Sequence, residues 1–171
     1  MDQFVGHVVH LAGRGKPERV LELYSGIGLF TVPLAPHVGQ IEAVESSARA
    51  VDLARQNVQG NCLRNVTCHA DSADRWIGNS VRAGYRPDTI LVDPPRNGLS
   101  DRVTGGLRKM APHQIVYVSC DPATFARDAR RIVDAGYRMA NLTVFDLFPQ
   151  THHTETVAAF DRAERGSGEP A

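Results

Sequence analysis

The chain has 171 residues, and its 19 Lys+Arg balance its 19 Asp+Glu, leaving no formal net charge with His neutral. That length suits one domain with its own core, and the absent net charge argues against a nucleic-acid binder working through a broad basic surface. Hydrophobic residues at 42 % and charged residues at 22 % give a globular composition. No apolar run approaches the ~18 residues a membrane span needs. Met1 to His10 lack a basic signal-peptide region, and the three cysteines Cys62, Cys68 and Cys120 fit a reducing, cytoplasmic setting.

In chain order, short β-rich runs alternate with helical stretches. Arg19 to Leu23 reads as a strand, followed at once by the loop Tyr24-Ser25-Gly26-Ile27-Gly28. Ile41 to Val44 is a second strand. Ser46 to Val58 is a helix, with Ser46 or Ser47 as cap, Val51, Ala54 and Val58 on one face and Gly60-Asn61 as its stop. Asn65 to His69 is a third strand, and a weak helix around Ser72 to Asn79 is anchored by Trp76 and Ile77. Thr89 to Val92 is apolar enough for a central parallel strand and runs into Asp93-Pro94-Pro95. Asp101 to Met110 is a helix weakened by Gly105-Gly106, and Gln114 to Ser119 is a fifth strand ending at Cys120. Asp121-Pro122 then caps and starts a helix through Val133. Tyr137 to Phe145 and Thr156 to Phe160 close the pattern as an antiparallel pair. The order predicts an α/β fold with a mostly parallel sheet, helices on both faces and an antiparallel edge. It spans residues 1–162 as one domain, followed by a charged, disordered tail at 163–171.

In open parallel sheets, ligands bind past the carboxyl ends of the strands. Gly26 and Gly28 allow close approach of a ligand to the first loop, although an ordinary tight turn reads the same way. A dinucleotide fingerprint would want a third glycine where Thr31 stands. Glu45 ends the second strand, where a carboxylate can accept both ribose hydroxyls of an adenosine ligand, and Asp71 follows the third, on the adenine side. This order of Gly loop, acid and acid is the arrangement of S-adenosyl-L-methionine enzymes. The two prolines of Asp93-Pro94-Pro95-Arg96 hold Asp93 at the same edge. In amino-group methyltransferases an aromatic residue follows such a loop, and here Arg96 stands in its place. Cys120 lies before a capped helix, where the dipole favours a thiolate, and a buried structural thiol is the alternative reading. Glu155 is a candidate general base in the loop Phe148-Pro149-Gln150-Thr151-His152-His153-Thr154-Glu155. Adjacent side chains of His152 and His153 point apart, so no metal is expected. The Arg127, Arg130 and Arg131 stripe reads as a solvated helix face.

Four segments carry a family resemblance: residues 21–31, Asp93 to Leu99, Tyr117 to Thr124 and Phe148 to Val157. Together they resemble the catalytic domain of the RNA uridine-5-methyltransferases, over roughly residues 4–160. The resemblance implies a Rossmann-like class I methyltransferase fold with a seven-stranded sheet, and S-adenosyl-L-methionine as methyl donor. It implies Cys120 as the nucleophile that adds to carbon 6 of uracil and Glu155 as the base that takes the carbon 5 proton. Asp93 and Arg96 match positions that hold the base, while Tyr24, Gly26, Gly28, Glu45, Asp71 and Asp93 fall on the cofactor side. The substrate implied is tRNA or rRNA, held with the help of an RNA-binding domain absent from this chain. A Phe-x-Gln-x-Asn segment of the family would fall before Met1. Glu22, Ser25 and Asp121 are small departures from its motifs. Two other readings compete: a cofactor-binding fragment idle without its RNA-binding domain, and an amino-methyltransferase acting on a base or a protein.

Overall fold

The computed structural model describes residues 2–147 and 154–163. Seven strands form one sheet: β1 (Arg19–Leu23), β2 (Gln40–Glu45), β3 (Val66–Ala70), β4 (Thr89–Val92), β5 (Gln114–Ser119), β6 (Tyr137–Phe145) and β7 (Glu155–Arg162). Their order is β3-β2-β1-β4-β5-β7-β6. The first five pair in parallel, and β7 enters antiparallel between β5 and β6. The expected terminal pair is therefore present, with its later strand on the inside. The helices are α1 (Asp2–Ala12), α2 (Thr31–Leu34), α3 (Ala48–Gly60), α4 (Ala73–Arg82), α5 (Asp101–Met110) and α6 (Pro122–Asp134). No helix among the described residues is long and apolar enough to cross a membrane.

Every residue of β4 and β5 is buried, as a central strand covered on both faces must be. One face packs Leu21, Leu23, Ile90, Val92 and Ile115 against α4, α5 and α6 through Ile77, Leu107 and Ile132. The other packs Val20, Leu91, Val116 and Val118 against α1 and α2 through Phe4, Val8, Leu11 and Leu34. Helix α1 is an element the chain-order reading lacks. Its apolar positions Phe4, Val8 and Leu11 follow helical spacing, so the signal was present in the residues. The caps follow the residue types: Ser47, Ser72 and Ser100 each accept an amide three residues on, and Asp121 accepts from Thr124 N at 2.7 Å. The tail at 164–171 lies outside the described residues.

Two details depart from the residue-level expectations. The two glycines of α5 are not equivalent. A Cβ at Gly105 would meet nothing within 4 Å, whereas one at Gly106 would lie 2.6 Å from Ile77 Cδ1 and 2.7 Å from Ile77 Cγ1. Gly106 is thus the close-packing point between α4 and α5 and not merely a weak spot in the helix. The second detail is Glu22 in β1, 2 % exposed and hydrogen-bonded to Thr31 Oγ1 at 2.6 Å. It ties the first strand to the start of α2 beneath the intervening loop. Burial, with a lesser contribution from the charge of Asp93, pushes its carboxyl up from 4.5 to about 8.

Two stability predictions follow from this packing. Gly105→Ala should stabilise the fold by about 0.5–1 kcal/mol through helix propensity. Gly106→Ala should cost about 1–3 kcal/mol through overpacking, and urea unfolding separates the two. Below pH 4.5 Glu22 is protonated whether folded or not, and between 4.5 and about 8 only the folded chain keeps the proton, so its contribution is lost as pH rises through that window. The melting temperature of the wild type should therefore fall more steeply than that of Glu22→Gln from about pH 5 to about pH 8. Equal slopes would exclude a protonated Glu22.

Candidate active site

The carboxyl ends of β3, β2, β1, β4 and β5 form one continuous rim. The loop after β1 turns back sharply, with positive φ at Tyr24 (63°), Gly26 (55°) and Gly28 (90°). Tyr24 pays about 1–2 kcal/mol for a left-handed backbone that only glycine adopts freely. The loop is fastened sideways onto β2: Ser25 N donates to Val44 O at 3.1 Å and Gly26 N donates to Glu45 Oε2 at 3.2 Å. The other oxygen of Glu45 accepts from Ser47 N at 2.7 Å and Ser46 Oγ at 3.1 Å. One carboxylate thus ties the glycine loop to the start of α3. Asp71 sits one strand further out. Its amide donates to Glu45 O at 3.0 Å, and its Oδ1 accepts from Ser72 N at 2.7 Å and Arg75 Nε at 2.5 Å. The structure therefore gathers Tyr24, Gly26, Gly28, Glu45 and Asp71 at three adjacent strand ends. A Cβ at Gly26 would project into open space, so the loop presents bare backbone to any ligand there.

On the other side of β1, Asp93 leaves the end of β4. Burial, and after it the negative charge of Glu155, push the Asp93 carboxyl up from 3.8 to about 7. The two acids are therefore within electrostatic reach although 62 positions apart in the chain. Glu155 owes its place to the antiparallel register: Ser119 in β5 faces Thr156 in β7. One step beyond that pair, Cys120 leaves β5 beside Glu155, the first residue of β7. Cys120 is half-buried, and its turn is stapled on both sides: Ser119 Oγ donates to Asp121 O at 3.0 Å, and Asp121 N donates back to Ser119 Oγ at 3.2 Å.

The Asp121 side chain is spent on the first turn of α6. The Thr124 amide and hydroxyl, and more distantly the Arg96 guanidinium, hold its carboxyl below the usual range. Arg96 itself is exposed, on the loop that continues from Asp93. Asp93, Arg96, Cys120 and Glu155 thus converge at the β4–β5–β7 end of the rim. Phe148 to His153 lie outside the described residues, and with them the two histidines. The Arg127, Arg130 and Arg131 stripe is not simply solvated: these residues reach Asp128, Asp134 and Asp101 at 2.9, 3.0 and 3.0 Å. Glu22 is the site-supporting residue that the motif comparison passed over as a small departure. Its charge in an otherwise apolar strand was the available signal.

A half-buried thiol, a neighbouring acid and a second acid whose carboxyl is pushed up to about 7 can support addition of the thiol to an electrophilic ring and removal of a proton from it. The glycine loop with Glu45 and Asp71 offers an adjoining berth for an adenosine-bearing ligand.

Comparison with known proteins bears on both halves of the site. The family model described as tRNA (Uracil-5-)-methyltransferase matches residues 3–163. An uncharacterized RNA methyltransferase of Lactiplantibacillus plantarum is 40 % identical over 154 residues, covering 90 % of this chain and 34 % of that protein. A 23S rRNA (uracil(1939)-C(5))-methyltransferase of Shewanella sp. (strain ANA-3) is 39 % identical over 153 residues, 86 % of this chain and 32 % of that protein. The chain spans about a third of the length of the curated relatives it matches. Among solved structures, the Pyrococcus abyssi tRNA (uracil-54, C5)-methyltransferase, in complex with S-adenosyl-L-homocysteine, superposes with a TM-score of 0.78 at 34 % identity, covering 92 % of this chain and 37 % of that one. An S-adenosylmethionine-dependent methyltransferase of Agrobacterium tumefaciens, at 17 % identity and a TM-score of 0.72, shares the fold alone. The sheet order, the rim it carries and the match over nearly the whole chain make this a Rossmann-like methyltransferase-fold domain belonging to the tRNA (uracil-5-)-methyltransferase family.

Proposed function

We propose that the chain is the methyl-transferring domain of an enzyme that methylates carbon 5 of uridine in tRNA or rRNA, through a covalent adduct on Cys120. The observation that carries this reading is the β5–β7 register, which sets Cys120 beside Glu155 at the rim where Asp93 also lies. The donor is S-adenosyl-L-methionine. The bare backbone of Gly26 and Gly28 and the carboxylates of Glu45 and Asp71 suit its aminoacyl and adenosine parts, and Tyr24 and Asp93 flank the space between. When bound, it supplies an electrophilic methyl group.

The residues of the chain divide the remaining work. Carbon 5 of uracil is a poor nucleophile, and the Cys120 thiolate corrects this by bonding to carbon 6 and pushing the ring electron pair onto the carbonyl at carbon 4. Asp93, raised to about 7, is protonated in about half the molecules at neutral pH, and in those it can share the proton with the base as charge develops there. Arg96 offers a planar fork to base or phosphate at the same mouth. Once carbon 5 carries the new methyl group, Glu155 takes its proton. The returning electron pair re-forms the ring double bond and expels the Cys120 thiolate. The target uridine must leave its stack to present carbon 6 to Cys120. The RNA grip is assigned to the two thirds of the relatives' length that this chain does not span, and the setting is the cytoplasm.

A 5-fluorouridine oligoribonucleotide tests the reading, because fluorine cannot leave as the proton does and the adduct persists. With S-adenosyl-L-methionine present, the wild-type chain should form a stable covalent complex and Cys120→Ala none. Glu155→Gln should accumulate adduct on ordinary uridine RNA, with turnover lowered by about 10²–10⁴-fold. Methyl transfer that survives Cys120→Ala, or product methylated on nitrogen, would sink the mechanism.

A further inference from the structure

Helix α6 carries a carboxylate, Asp128, that has no exposed surface. Its Oδ2 accepts from the Leu99 amide at 2.7 Å and from the Tyr117 hydroxyl at 2.9 Å. Its Oδ1 accepts from Arg127 Nε at 2.9 Å and lies 3.5 Å from the guanidinium of Arg131. Arg127 also donates through its other arm to the Asn97 carbonyl at 2.8 Å. A buried charge is tolerated only when it is fully partnered, and these partners come from three separate elements. Tyr117 belongs to β5, three residues before Cys120. Asn97 and Leu99 belong to the loop that starts at Asp93 and bears Arg96. Arg127 and Arg131 belong to α6, the helix that Cys120 precedes.

The loop has few other ways to be fixed. Pro94 and Pro95 have no N–H to donate. Gly98 N closes a turn onto Pro95 O at 2.7 Å, within the loop itself. Gly98 has a positive φ of 74°, and a Cβ there would stand 2.4 Å from Asp128 Oδ2 and 2.5 Å from Arg127 NH2. Glycine is therefore needed twice at this point, for the backbone turn and for the approach of the carboxylate. The hydrophobic surroundings and the tyrosine hydroxyl leave the carboxylate a single placement, so the loop inherits its position from α6.

We infer that Asp128 is a positioning residue: it locks the loop bearing Asp93 and Arg96 to the strand and helix that flank Cys120, so that the base is held in register with the thiol. This role rests on the reaction proposed above. It acts chiefly through the loop: Glu45 and Asp71 hold the donor side of the rim through hydrogen bonds of their own, and Tyr24 is within electrostatic reach of Asp128.

Asp128→Asn puts an amide nitrogen opposite donors and tests the role in the full chain. Hydrogen exchange at the Leu99 amide should accelerate. The maximal rate of adduct formation with the 5-fluorouridine oligoribonucleotide should fall by about a hundredfold, the cost of a misplacement near 1 Å. Affinity for S-adenosyl-L-methionine should fall by less than the adduct rate. Should Asp128→Asn fail to fold, Arg127→Ala removes the arm to Asn97 and the Arg127–Asp128 contact while leaving the Leu99 and Tyr117 bonds, and its adduct rate should fall by about tenfold, with donor affinity falling less. Wild-type adduct rates in the folded variant would overturn the role alone, as would a rate loss matched by an equal loss of donor affinity. A wild-type chain that forms no adduct would instead overturn the functional reading and the role with it.

Discussion

The hydrogen-bond ladder between β5 and β7 is the constraint on which the site depends. Five parallel strands can deliver only their carboxyl ends to the rim, so each contributes whatever follows its last residue. β7 runs the other way and delivers its first residue instead. That reversal is what sets Glu155, late in the chain, beside the residue that follows β5. The register also fixes the facing: a one-residue slip would turn every β7 side chain to the opposite face of the sheet. It would carry Val157 and Ala159 out of one apolar layer and Phe160 out of the other, so the core enforces the pairing that sets Glu155 at the rim.

Electrostatics at the rim follow from the same crowding. Asp93 and Glu155 disfavour a second negative charge on each other, and Glu22 lies deep enough beneath the first loop to stay neutral at ordinary pH. Three other acids are held by hydrogen-bond donors. Asp128 has its ring of donors, Asp121 its helix terminus, and Glu45 three donors of its own. A chain without net charge thus places several acids where they shape backbone or hold protons, and Arg14, Arg55, Arg75, Arg127, Arg130 and Arg131 each pair with an aspartate. This gives the zero balance a structural reading different from the one its composition suggests.

Much of this could be read from the residues, and the boundary is instructive. α5, β5 and β6 begin and end where their capping and breaking residues say they should, because Ser100, Pro112 and Gly136 act locally. The rim residues were legible because strand–loop order alone assigns Glu45, Asp71, Asp93 and Cys120 to one edge. The helical repeat of Phe4, Val8 and Leu11 in α1 is hard to read because Gly6 and the histidines His7 and His10 interrupt the run. Gly106 and Asp128 were beyond reach for another reason. Their meaning lies in Ile77 and in Leu99, each 29 positions away, and no local pattern encodes a contact across that distance.

The strand order also carries a consequence for time. During synthesis β6 emerges before β7, yet it has no neighbour in the sheet except β7. The growing chain can assemble β1 to β5 with their helices and still lack both the rim acid and the outermost strand. β7 joins β5 across a wide sequence separation, whether alone or already paired with β6, and pairings of that kind form slowly. Apolar β6 residues such as Leu142 and Val144, still half exposed in the finished fold, remain open to wrong partners until β7 pairs with β6. Cys120 and Glu155 thus come together only once β7 has paired with β5, so on the mechanism proposed above a chain lacking that pairing holds a thiol without its acid.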